Sequence, residues 1–212
     1  MALLNANYLG LYAFADSGQT KAYRVTDDDA LNDAKTSFIA AAASGDYGLL
    51  VNGDDLWEDS NKPAIGYDNA GSWTNAADDL DLLAAATSTT LDMGNTIDEI
   101  AARSTQGNAE TYVIGGSQSW SLTADGLVQD SLASDRMGPE ALMDISRASE
   151  YVIVRFALDT TKKDDSSETV RKVNYIGQGI IENVSISGGF DDTATYSVTV
   201  RGYGKLYKYV NA

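Results

Sequence analysis

The 212-residue chain contains no cysteine and no histidine. Without thiols there is no disulfide, no thiolate nucleophile and no zinc–thiolate site. Without imidazole the usual general base and the commonest transition-metal ligand are missing. No apolar run is long enough to span a bilayer. The opening Met1-Ala2-Leu3-Leu4-Asn5 has no basic n-region and no cleavable apolar core, so no secretory signal is expected. Cations are scarce as well: 15 Lys and Arg stand against 31 Asp and Glu, a net charge of −16. Phosphate binding needs clustered cations, so a nucleic-acid groove is disfavoured. A surface of this sign repels DNA and favours solubility.

Two prolines and 19 glycines are present, a balance suited to many turns with positive φ. The length allows one sizeable core, or a core with an inserted subdomain. The last third, Tyr175 to Tyr207, organises the rest. Val184 and Ile186 alternate with Asn183, Ser185 and Ser187. The cluster Ser187-Gly188-Gly189-Phe190-Asp191-Asp192 turns the chain. Tyr196, Val198 and Val200 then alternate with Ser197, Thr199 and Arg201. Period-two alternation around a Gly/Asp turn predicts a β-hairpin with one apolar face. Its other face is polar and nearly uncharged.

Earlier in the chain, Tyr8 to Phe14 reads as a buried strand, with Lys21 to Val25 pairing back onto it. The composition changes at Thr26. From there to Ala85 lie 13 acids against Lys35 and Lys62, which is −11 of the total −16. Asp27-Asp28-Asp29 suits the cap and first turn of a helix. Leu31, Ala34, Phe38 and Ala41 follow at helical spacing, and Gly45 ends the run. Residues 52–73 are turn-rich and carry Trp57, Tyr67 and Trp73. Asn75 and Asp78 have capping-box spacing and predict a short helix through Leu80, Leu83 and Ala84. Residues 26–85 are therefore expected to form an acidic, partly helical insertion in a discontinuous β core of 1–25 and 86–212.

In that core, Thr87 to Met93 is strand-like and Asn95 to Ser104 reads as an extended arm or loop. Thr111 to Ile114 ends at a Gly115-Gly116 turn. Ser119 to Gly126 alternates, with Trp120 and Leu122 on the buried face. Gly138-Pro139 opens a helix with Leu142, Ile145 and Ala148 on one stripe. Tyr151–Leu158 and Val170–Ile176 are strands, and Gly177 and Gly179 mark a bend or bulge. The expected fold is mainly β: an antiparallel sandwich or open barrel with one flanking α-helix. Edge strands of such a fold are either hazards or, paired between copies, the means of building rings and filaments.

Little here points to chemistry. Asp27-Asp28-Asp29 and Asn52-Gly53-Asp54-Asp55 with Glu58 and Asp59 offer oxygen ligands for Ca²⁺ but lack the EF-hand spacing. Solvated caps and loops account for them, and no metal or cofactor is expected. Asp54 and Glu58 form a conceivable acid–base pair. Trp57, Tyr67 and Trp73 are a conceivable carbohydrate surface, although buried aromatics of a small subdomain explain them equally.

Two segments carry a resemblance. Gly115-Gly116-Ser117-Gln118-Ser119-Trp120-Ser121-Leu122-Thr123-Ala124-Asp125-Gly126 is one. Ile181 to Gly189, continuing through Asp191-Asp192-Thr193-Ala194-Thr195-Tyr196-Ser197-Val198 to Gly202, is the other. Together they resemble the major tail (tail tube) proteins of long-tailed bacteriophages. The Ala-Leu-Leu-Asn opening and the Thr96-Ile97-Asp98 segment are similar to that family too. The resemblance covers about residues 1–25 and 87–207; the acidic segment matches nothing in the common core. It implies a structural virion protein, made in the host cytoplasm, without enzymatic activity. Its copies would form hexameric rings stacked into a hollow tube through which DNA leaves without specific binding. Tape-measure, terminator and distal tail proteins would be its other partners, and no membrane. By the same resemblance Thr96, Ile97, Asp98, Glu99, Ile100 and Arg103 are subunit-interface candidates. The rival reading is a monomeric carbohydrate-binding or adhesin-like β-sandwich using Trp57, Tyr67 and Trp73.

Overall fold

Alternating sequence becomes strand over most of the chain. The computed structural model describes residues 9–14, 22–26, 30–53, 55–77, 80–103, 109–129, 136–158, 172–189 and 193–211. In chain order the elements are β1 (Leu9–Phe14), β2 (Ala22–Thr26), α1 (Leu31–Ala41), β3 (Tyr47–Asn52), β4 (Asp55–Leu56), β5 (Glu58–Asp59), β6 (Lys62–Pro63), β7 (Ile65–Asp68) and β8 (Trp73–Asn75). They continue with β9 (Asp81–Leu83), β10 (Ala86–Arg103), β11 (Ala109–Leu127), β12 (Arg136–Met137), α2 (Pro139–Ala148), β13 (Tyr151–Leu158), β14 (Lys172–Ser187) and β15 (Thr195–Asn211). The fold is mainly β, as its alternation predicts.

One large sheet has the order β10-β11-β15-β14-β13-β1-β9-β12. β9, the strand next to the β12 end, stops at Leu83, and β10, the opposite end, starts at Ala86. Two residues cannot cross a flat sheet of this width, so the sheet must curl into an open barrel. Across the seam the Tyr196 hydroxyl donates to the Ala84 carbonyl, while Leu127 N–H donating to Ala85 (3.1 Å) prolongs the β10–β11 ladder and Ala84 N–H donating to Met137 (2.9 Å) prolongs the β9–β12 pair. Inside lie Trp120, Leu122, Ala124, Val152, Val154, Phe156, Ile181, Val198 and Val200, with Leu142 and Ile145 of α2 packed among them. Pro139 opens α2 at its first turn, as expected, while Ala148 of the expected stripe is exposed.

The acidic segment, together with β2 just before it, builds a second sheet, β2-β3-β7-β8, with β4 on β3. Ala34 and Phe38 of α1 cover one face of it together with Leu50 and Ala64. The other face shares a core with the large sheet, where Leu49, Val51 and Ile65 meet Ile153, Ile176, Tyr207 and Tyr209. Polar ties reinforce this contact: Arg155 donates to the Ala77 carbonyl (2.6 Å), Gln178 to Ala22 (2.7 Å) and Arg24 to the Tyr207 hydroxyl (2.9 Å). Fully burying each of those aliphatic side chains contributes roughly 1.5–3 kcal/mol.

Four expectations need correction, and one open choice is decided. β2 does not pair with β1; it lies parallel to β3 through Ala22↔Tyr47 to Thr26↔Val51. The reason is α1, whose length turns β2 and β3 into a strand–helix–strand crossover. No helix follows Asn75: residues 81–83 are a strand of the large sheet, paired with β1 and β12. The Asn75 side chain instead accepts the Ala77 N–H (3.0 Å), a turn bond that competes with helix capping. Of the arm or loop expected at 95–104, residues 95–103 are the arm, half of a ladder with β11 ending at Arg103↔Ala109. Gly115-Gly116 is not a turn. Asn95↔Gln118 is followed by Ile97↔Gly115, so β11 carries a bulge there and runs on. Finally, the apolar face of the last hairpin is incomplete, since Ile186 is 43% exposed. Asp27-Asp28-Asp29 and Asp54 lie outside the described residues. α1 starts after Ala30, which makes no side-chain capping bond.

Candidate assembly surface

The outer side of β10, β11, β15 and β14 is a four-strand polar face. Strand register places Thr90, Thr123, Thr199 and Asn183 in one row. Ser88, Asp125, Ser197 and Ser185 form the next. Their apolar neighbours Leu122, Ala124, Val198 and Val200 point into the barrel. The charged groups around this face are few: Asp92, Asp125, Glu182 and Arg201. Arg201 pairs with Glu182 at 3.2 Å. Hydrogen bonds from Ser88 (2.8 Å) and Ser197 hold the Asp125 carboxyl below its ordinary range, so the charge is fixed within a hydroxyl network.

Among the described residues both sides of this face end in unpaired backbone. β10 is the end strand of the sheet. β14 is covered by β13 only from Val173 to Ile180, where Tyr151 begins; Ile181–Ser187 has no strand on that side among the described residues. The four strands alternate in direction, so a β10 laid along this free β14 edge would continue the antiparallel order.

Above the face the sheet forks. β11 pairs with β15 only from Ser121 to Leu127. Beyond it, Gly94–Arg103 and Ala109–Ser119 pair with each other and, among the described residues, with no other strand, and form a projecting ribbon. Trp120 holds the fork. Its ring lies over Gly177 and Gly202, where an added Cβ would come within 2.6 and 2.1 Å of it, and its Nε1–H donates to the Gly204 carbonyl at 3.0 Å. The expected bend at Gly177 is thus a bulge, with Ile176↔Tyr207 followed by Gln178↔Tyr203 and Gly204 at φ +75°.

The interface candidates all fall on this ribbon. The Thr96 hydroxyl contacts the Ser117 carbonyl at 3.1 Å, and Ile97 is 62% exposed. Asp98, Glu99, Ile100 and Arg103 stand opposite Ile114, Val113, Tyr112 and Ala109 in the ladder.

The aromatic candidates are not brought together. Trp73 meets Phe38 edge-on at 5.7 Å and donates to Asp59 at 3.3 Å, with Trp57 packed on the same core under α1. Tyr67 packs against Tyr47 at 5.1 Å, in the core on the opposite face of the small sheet. Among the described residues no three acids gather round a common point.

A cleft that the sequence reading did not single out opens beside the fork. About 400 Å³ in volume, it lies between β2 and the large sheet and is lined by Ala22, Tyr23, Arg24, Glu150, Tyr151, Gln178 and Tyr203. Tyr151 and Tyr203 pack ring to ring at 4.8 Å. Gln178, a polar residue between two strand glycines, was the available signal.

A protomer with a polar face, two complementary free edges and an unpaired ribbon is a building block for a larger β assembly. The phage tail tube protein family matches residues 72–208, and the chain belongs to that family. It is a structural protein of the phage tail. No curated protein matches it. Among solved structures, a subunit in the virion of a native gene transfer agent particle is 17% identical (TM-score 0.44, 61% of this chain and 88% of that one). One in the tail of an empty gene transfer agent particle, refined with C6 symmetry, is 16% identical (TM-score 0.43, 71% and 97%). The SPP1 tail tube, solved by solid-state NMR and cryo EM, is 15% identical (TM-score 0.41, 68% and 70%).

Proposed function

We propose that copies of this chain pair edge to edge into hexameric rings that stack as the tail tube, and that DNA passes through the lumen. The observation carrying this is the four-strand face with two free edges. Pairing β10 of one copy with Ile181–Ser187 of β14 in the next is a heterologous contact, and such contacts close into rings. Four strands per copy is an even number, so the antiparallel alternation closes whatever the ring size. The Ser/Thr rows then line the lumen. Hydroxyls and a near absence of cations give a sliding polyanion nothing to hold. The role is mechanical, with no catalysed reaction. The projecting ribbon, with Thr96, Ile97, Asp98, Glu99, Ile100 and Arg103, contacts another copy. The acidic sheet and α1 form an addition inserted in the discontinuous core, spanning roughly the expected 26–85 segment.

Electron microscopy of the purified chain across a concentration series tests this. Rings or tubes with a stain-filled channel are expected. Single small particles at every concentration would refute self-assembly.

A further inference from the structure

We infer that the tyrosine-lined cleft beside the fork is the receptor for the β10–β11 ribbon of the adjacent copy. This rests on the edge-pairing reading above and deepens it. The free edge of β14 runs from Ser187 to Ile181, and then Tyr151 of β13 takes its place at Ile180. A neighbour's β10 can follow that edge from about Ala86 to Met93. Past Gly94 it meets β13 and must leave the sheet. Gly94 is also where the ribbon parts from the sheet in its own protomer. The strand therefore leaves the neighbour's sheet at the same residue where it leaves its own, directly beside Tyr151, Gln178 and Tyr203.

The chemistry of the two surfaces agrees. Leu91, Met93 and Ile97 share one side of β10, since the extra residue of the bulge falls on β11. Leu91 packs on the barrel core, whereas Met93 and Ile97 are 58% and 62% exposed. A ribbon stepping over β13 on the outer side turns that apolar side down onto the cleft, where Tyr203 is 51% exposed. An isolated two-stranded ribbon is marginal in water, so it requires a cover.

The absence of cysteine makes the test clean. Chains carrying Ile97→Cys are mixed with chains carrying Tyr203→Cys, assembled, and treated with a short bis-maleimide. A second mixture, Thr90→Cys with Ser185→Cys, reports the edge pairing alone. Cross-linked heterodimers in both mixtures are expected, and neither variant should cross-link with itself to the same extent. Edge cross-links without ribbon cross-links would overturn the receptor assignment and leave edge pairing standing. Loss of both while the wild-type chain still assembles would overturn the two together. All four sites are at the surface or half-buried, so folding is preserved. As an independent measurement, Tyr203→Ala should raise the critical concentration for assembly roughly tenfold. An unchanged value would also overturn the assignment.

Discussion

The two long hairpins make an instructive pair. β14–β15 and β10–β11 are built from strands of similar length, 16 and 17 residues against 18 and 19. The first is flanked by β11 on one side and β13 on the other, and its two faces supply the two main cores, Tyr175 and Leu206 packing on one and Ile176 and Tyr207 lying in the other. The second is embedded only as far as Trp120 and then continues alone. The difference lies in what stands beside each strand, not in the hairpins themselves. Where another strand is at hand in the same chain, the hairpin is core. Where none is among the described residues, it is an arm. The boundary between the two conditions is the fork, so the strongest perturbations act there.

Replacing Trp120 by Ala should have the largest effect on the fold. It removes a 5%-exposed ring that spans Gly177 and Gly202 and leaves a cavity under both hairpins. A loss of about 3–5 kcal/mol is expected in urea unfolding. A loss below about 1 kcal/mol would mean that the hairpins are held independently of the fork.

The Tyr196 hydroxyl separates the embedded half of the molecule from the arm in a second way. Tyr196 is 2% exposed and donates to the Ala84 carbonyl at the barrel seam. Burial pushes its pKa up to about 12 from the ordinary 10. Below pH 10 the folded and unfolded chains both hold the proton, and this group adds no slope. Between about 10 and 12 the unfolded chain releases it while the folded chain keeps it. Stability therefore falls as pH rises through that window, by up to about 1.4 kcal/mol per unit. Tyr196→Phe should cost about 1 kcal/mol near neutrality and remove this slope. A slope that persists in the Phe variant would assign the alkaline transition elsewhere.

Joining Asn95 to Ser117 through Asn-Gly deletes the ribbon beyond the fork. The barrel should keep its stability to within about 1 kcal/mol, because those residues pair with no other strand among the described residues. Assembly, read by sedimentation, should be lost. A shortened chain that still forms tubes would make the ribbon dispensable and break the contrast between the hairpins.

These expectations also mark how far the sequence could be read. Alternation located the last hairpin and the Trp120–Leu122 strand, because each has one face against a core and one against water. For residues 95–103 it left arm and loop undecided, because a ribbon whose strands pair only with each other among the described residues is set by that pairing and not by a core beneath it. Lys21–Val25 reads as a strand, but its pairing with β3 depends on α1 as a crossover, which local pattern does not encode. The Asn75–Asp78 spacing is compatible with a helix cap and with an Asx-type turn, and only the demand of β1 and β12 for a third strand decides between them. The cleft was illegible for a similar reason. Arg24, Tyr151, Gln178 and Tyr203 come from four strands and meet only after the small sheet docks on the large one.

The smallest effect on the fold, and the finest test of the contrast, comes from paired substitutions at Ile97 and Ile186. Both isoleucines are exposed, at 62% and 43%, one on the arm and one on the free edge of β14. Ile97→Ser and Ile186→Ser should each change the unfolding free energy by no more than about 0.5 kcal/mol, because neither side chain fills space in the protomer. In the assembly they part. The Ile97 side chain is expected to be covered by the cleft, and losing that burial removes about 1 kcal/mol of contact, which raises the critical concentration roughly fivefold. Ile186 belongs to an edge whose contact is mainly main-chain hydrogen bonding, which Ser preserves, so its variant should assemble within about twofold of the wild type. Equal effects in the two variants would mean that the arm grips no more specifically than the edge, and that the hairpins differ in length of exposure alone.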